Sequence, residues 1–123
     1  ITFYPWSISN LNKLTKLCEF AVIPVNLKNP MHILKPENRI HLFWRLGIPV
    51  IASATNSNLR AMRLCSHDLC ANTLDDWVLS IEKLIKTEDI LKNYSKTAYK
   101  YVINKFDTNY FINVWKEALI NSL

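Results

Sequence analysis

The stretch KPENRIHLFWRLGIPVIAS, residues 35–53, sets two kinds of periodicity back to back. Ile40, Phe43 and Trp44 recur at the three-and-four spacing of one helical face, and Leu46 reads as inward with them. Pro36 has the fixed backbone angle of a first helical turn. Gly47, the only glycine in the chain, stands where a left-handed residue closes a helix. PVIAS (49–53) then runs without alternation, the pattern of a strand buried on both faces. A helix handed directly to such a strand is half of a parallel α/β repeat.

The same repeat extends in both directions. Upstream, AVIPV (21–25) is a second buried run, and NLKNPMHILK (26–35) lacks periodicity and reads as the loop at its carboxyl end. SISNLNKLTKLCEF (7–20) is an amphipathic helix capped by Ser7 or Ser9, with Leu11, Leu14, Leu17 and Cys18 on one side. ITFYPW (1–6) reads as a short strand. Downstream, NSNLRAMRLC (56–65) predicts a short helix with an Asn or Ser cap, and DLCAN (68–72) a third core strand. TLDDWVLSIEKLIK (73–86) has Thr73 at its cap, two aspartates in its first turn and lysines in its last, matching the helix dipole at both ends. Residues 87–106 and 107–123 predict two further helices. Strand and helix in alternation argue for an α/β fold with a partial Rossmann-like parallel sheet. Residues 1–72 make the sheet portion and 73–123 a C-terminal helical tail.

Composition excludes more than it assigns. With 123 residues, half of them apolar, the chain has one core and not two, and it is not disordered. No apolar run approaches the roughly 20 residues of a membrane span. Nothing suggests secretion, so the expected location is cytoplasmic. The chain opens on ITFYPW without an initiator methionine, which reads as a portion of a longer protein. Cys18, Cys65 and Cys70 are an odd count without a CxxC pair, so reduced thiols are expected, with no disulfide framework and no metal. The net charge of +5 suits an anionic ligand or an acidic lipid surface. Lys92, Lys96 and Lys100, four residues apart with Tyr94, Tyr99 and Tyr101 interleaved, make a basic stripe. It is either a solvated helix face or a peripheral membrane contact. No nucleic-acid motif accompanies it.

A single glycine also excludes the glycine-rich phosphate loops. Any nucleotide contact has to come from a helix N-terminus, whose first N–H groups are unpaired and whose dipole favours an anion. The helix after Pro36 is the candidate, because it begins where ligands of open α/β sheets bind. Glu37 at that point has two readings. It complements the helix dipole, or it accepts hydrogen bonds from a pair of sugar hydroxyls while a diphosphate rests on the amides nearby. Lys35 and Arg39 are solvated charges or aids to the phosphate. His32 and His41 each read as a histidine making one hydrogen bond, with a catalytic role as the rarer use.

The order AVIPV, KPENRIHLFWRLGIPVIAS resembles the C-terminal, donor-binding domain of the GT-B glycosyltransferases, in particular the retaining family 4 type. Pro24, Glu37, Gly47, Pro49 and Val50 fall at the positions that carry the resemblance. LDDWVLSIEKLI (74–85) is similar to the family's segment after its last strand. The resemblance implies a sugar-nucleotide-dependent glycosyltransferase with a nucleoside diphosphate sugar as donor and no cofactor. It implies Glu37 as the ribose ligand, with Asn29, His32, Ile33, Leu34 and Asn38 around the nucleotide sugar. Asn29 stands in place of the family's first glutamate and His32 in place of its loop glycine. The implied partners are an acceptor and an N-terminal domain outside this chain. With ITFYPW as strand three and AVIPV as strand four of a doubly wound sheet, strands one and two are missing. The bare edge would favour self-association. A non-catalytic binding or assembly module on the same fold, or a sugar-nucleotide epimerase, are the alternative readings.

Overall fold

The computed structural model describes residues 2–121. It is an α/β domain with a three-stranded parallel sheet: β1 (Ala21–Ile23), β2 (Val50–Ser53) and β3 (Cys70–Ala71), in the order β1-β2-β3. Ala21 is in register with Val50, and Ala52 with Cys70. Seven helices accompany the strands: α1 (Ile8–Thr15), α2 (Pro30–Ile33), α3 (Asn38–Arg45), α4 (Asn56–Leu64), α5 (Leu74–Ile85), α6 (Glu88–Lys105) and α7 (Thr108–Ile120).

The central strand is why the unalternating pattern of PVIAS is diagnostic. Every residue of β2 is buried, so both faces of the strand are covered. Ile40 and Trp44 of α3 enter the same core with Ala61 and Met62 of α4, Leu84 of α5, and Ala98 and Val102 of α6. Trp44 is fully buried, its ring edge-on to Tyr101 and His67. Phe43 is half-buried against this core, whereas Leu46, expected inward, is exposed. It is the C-cap, beyond the last turn that faces the sheet.

Gly47 does close α3. Its φ is 74°, its N–H donates to the Trp44 carbonyl at 3.0 Å, and the Ile48 N–H donates to the Phe43 carbonyl at 2.9 Å. This paired arrangement is a Schellman cap. The Ser95 hydroxyl of α6 donates to the Gly47 carbonyl at 2.5 Å, locking the turn to the helical tail. Thr73 caps α5, as its sequence suggests, and does so in a full capping box with Asp76. Asp76 is held below the usual carboxylate range by hydrogen bonds from the Thr73 and Asn72 backbone N–H groups.

Several boundaries differ from expectation. Residues 2–6 form no strand, and Phe3 and Trp6 are exposed; no neighbouring strand offers them a ladder, and Ile1 lies outside the described residues. β1 stops at Ile23 because Pro24 has no N–H to donate. The segment read as a loop contains one helical turn, α2. Pro36 precedes α3 instead of beginning it, and Glu37 is the N-cap. α4 is capped by Thr55, one residue ahead of the expected Asn or Ser. β3 is two residues long where five were expected. β1 has a partner on one side only, and Val22 is half exposed.

Candidate functional site

The carboxyl ends of β1 and β2 are tied together before any charged group enters. The Ser53 hydroxyl accepts from the Val25 N–H at 2.8 Å and donates back to the Val25 carbonyl at 3.3 Å. The Asn58 side-chain amide donates to the Ser53 carbonyl at 2.9 Å, and Thr55 Oγ1 accepts from the Asn58 N–H at 3.2 Å. Ser53, Thr55 and Asn58 are all buried. Their polar atoms are therefore satisfied inside the protein, as buried polar groups must be. This clamp ties the carboxyl ends of β1 and β2 to the start of α4, and Glu37 at the start of α3 lies beside it.

Glu37 sits at the start of α3, and its side chain is only 12% exposed. Its carboxylate makes no capping bond to its own helix. It turns instead to Arg60 of α4, whose Nη2 lies 2.8 and 2.9 Å from the two oxygens while Nε approaches Oε1 at 3.3 Å. Burial by itself pushes the Glu37 carboxyl up, but the Arg60 hydrogen bonds and charge overcome it and hold the group below its ordinary value. The carboxylate is thus ionised and neutralised at once. The dipole-complement reading of Glu37 predicts a carboxylate facing its own amides, and this one faces a guanidinium.

The turn has a consequence for the amides. The N–H groups of Ile40 and His41 donate to the Glu37 carbonyl, while those of Asn38 and Arg39 have no protein acceptor among the described residues. Among the described helices α3 alone lacks a side-chain cap; Ser7, Asn29, Thr55, Thr73, Thr87 and Asp107 supply one to the others.

Two hollows flank Glu37. On one side a cleft of about 520 Å³ is lined by Glu37, His41, Arg45 and Arg60 with the rings of Phe106 and Phe111. Arg45 Nη2 donates to the Phe106 carbonyl at 2.9 Å, which holds the α6–α7 turn over this cleft. The His41 ring packs on Phe106 at 4.7 Å, and its Nε2 is buried without a partner. Burial lowers the His41 pKa, opposed by the neighbouring Glu37 charge and reinforced by Arg60. On the other side lies a crevice of about 10 Å³, bounded by His32, Lys35, Arg39, Thr55 and Asn58 together with Glu37.

The residues expected around a nucleotide sugar are thus distributed unevenly. Glu37, Lys35, Arg39 and His32 converge on one crevice, and Asn38 lines the larger cleft. Asn29 caps α2, its Oδ1 accepting from the Met31 N–H at 3.0 Å. The N–H groups of His32 and Ile33 donate to the Asn29 carbonyl, and that of Leu34 to the Pro30 carbonyl. A ligand reaching those amides has to open the α2 turn first. Arg60, Ser53, Thr55 and Asn58 escaped the sequence reading. Arg60 carries the only usable signal, a cation midway along the helix after a buried strand. Among the described residues no cluster of three or more His, Cys, Asp or Glu is placed to hold a metal ion, and no helix is long and apolar enough to cross a membrane. Comparison with family models, with curated proteins and with solved structures returned no match for this chain.

Proposed function

We propose that this chain is the donor-binding portion of a GT-B glycosyltransferase resembling family 4, as part of a longer protein. The reaction is transfer of a sugar from a nucleoside diphosphate sugar to an acceptor hydroxyl. One observation carries the proposal: at the carboxyl edge of a parallel sheet, α3 starts with two unpartnered amides and a carboxylate turned away from them onto Arg60. That separation removes the conflict between a carboxylate and a phosphate at one helix start. Neutralised by Arg60, Glu37 still has a lone pair to accept from a ribose hydroxyl, while the Asn38 and Arg39 N–H groups are left for the diphosphate. Lys35 and Arg39 lie beside Glu37 and add positive charge near the departing diphosphate. The acceptor and the remaining phosphate ligands belong to segments outside this chain, so the isolated chain binds nucleotide without turnover.

A second reading, a non-catalytic binding module on the same fold, is favoured by Asn29 and the α2 turn, where the side chain and amides are already hydrogen-bonded. Calorimetric titration with UDP, GDP and their sugars, on the chain and on Glu37→Ala, tests the site. Binding is expected to weaken by about tenfold or more in the variant, the loss of a charged hydrogen-bond acceptor. Unchanged affinity overturns the assignment of Glu37. Nucleoside diphosphate release by the full-length protein separates the enzyme from the binding module.

A further inference from the structure

A cleft of about 650 Å³ lies away from Glu37, between the end of α4 and α6. Three lysines line it, Lys96, Lys100 and Lys105, and no acidic residue does. This is unlike the other lysines of the region. Lys92, one turn earlier on α6, is paired with Glu88 at 2.7 Å, and Lys83 with Asp68. Lys96, Lys100 and Lys105 make no ion pair among the described residues. Three cationic side chains lining one concavity with no acidic neighbour on its walls favour an anion there.

The neutral lining points the same way. Asn104, Thr97 and Tyr101 also line the cleft. Ser66 lines it from the turn after α4 with φ at 56°, a left-handed conformation that glycine adopts without strain and serine does not. The strained position thereby brings a hydroxyl to the wall where glycine would bring none. Leu64 and the Tyr101 ring add an apolar strip. Cations and neutral donors beside a small apolar surface, within the roughly 300–1,000 Å³ of ordinary ligand clefts, match a phosphate-bearing molecule.

We infer that the α4–α6 cleft binds a phosphate group through Lys96, Lys100 and Lys105, with Ser66 and Thr97 as neutral donors. The basic stripe of the sequence divides here: Lys92 is spent on Glu88, and the binding half runs from Lys96 to Lys105. The inference does not rest on the Glu37 reading, because no residue is shared between the two sites.

The test is a titration of the isotopically labelled chain with pyrophosphate at low ionic strength, read from amide shifts. A parallel arm measures co-sedimentation with phosphatidylcholine vesicles carrying a phosphoinositide. Saturable shifts centred on Ser66, Thr97 and Lys100 are expected, and Lys96→Gln/Lys100→Gln should weaken them by about tenfold or more. Lys92→Gln should leave them unchanged, and these lysine variants should keep the wild-type unfolding midpoint. Saturation by pyrophosphate supports a free phosphate ligand. Vesicle binding lost in the double variant, with no response to pyrophosphate, supports a lipid headgroup. No saturation in either arm, or an equal loss in Lys92→Gln, overturns the inference.

Discussion

Replacing His67 by glutamine should flatten the acid side of this protein's stability profile. The imidazole is buried, its ring 4.6 Å from that of Tyr94 and 5.6 Å from that of Trp44. Its Nδ1 is buried without a partner, and its Nε2 lies 3.7 Å from the Cys65 sulfur. Burial disfavours the imidazolium and lowers the pKa from 6.5 to about 4, although Asp68 next door pulls the other way. Asp68 is already engaged by Lys83 and the Tyr94 hydroxyl. Between those two values the unfolded chain binds a proton that the folded one does not, so stability rises with pH. The contribution is fully present above the ordinary value and is lost as pH falls toward the folded one. At ~1.4 kcal/mol per pH unit, the loss is about 2 kcal/mol from about pH 7.5 to about pH 5, and about 3 kcal/mol by about pH 4. Urea unfolding of wild type and His67→Gln across that range measures it. The difference in stability between the two should shrink by these amounts on acidification. His41 is lowered in the same direction and remains in both proteins, so it cancels in the comparison. A stability difference that does not change with pH would refute the reasoning, as would a His67 proton titrating at its ordinary value by NMR.

Other expectations follow from the same geometry. Gly47→Ala meets only the Ser95 hydroxyl at 3.7 Å, so its cost is the left-handed backbone alone, about 1–2 kcal/mol by chemical denaturation. Trp44→Ala empties the centre of the core and should cost about 3–5 kcal/mol, read from the shift in the urea midpoint. Arg60→Gln leaves a largely buried carboxylate unpaired, so the Glu37 pKa should rise, followed by the carboxyl carbon shift in NMR; an unmoved titration would contradict the pairing described above. Self-association should be visible by light scattering. β1 has an open edge, and α7 buries none of its described residues while exposing Phe111, Trp115 and Leu119. A monomer at every concentration would count against that expectation.

Residues 40–53 were legible because local chemistry and burial agree there. The apolar spacing of α3, a glycine needed at positive φ and a strand apolar on both faces each had one solution. The N-terminal hexapeptide misled because an apolar, aromatic run satisfies a strand pattern whether or not a neighbouring strand exists to receive it. α2 was missed because one turn is too short to show a period. Its Asn29-Pro30 start, a capping side chain followed by a first-turn proline, was the available sign.

By itself the sequence determined the alternation of strands and helices, the closure of α3 at Gly47 and the placing of a carboxylate where α3 begins. Those are local matters of backbone angle, burial period and dipole. Only the tertiary structure decided which group that carboxylate faces. Glu37 and Arg60 are 23 residues apart in the chain, and they meet only because α3 and α4 pack on the same parallel sheet with the start of α3 beside α4. The convergence of Lys96, Lys100 and Lys105 on the end of α4 is of the same kind. Helical spacing aligns the first two, but the concavity they share exists only where a second helix stops beside them.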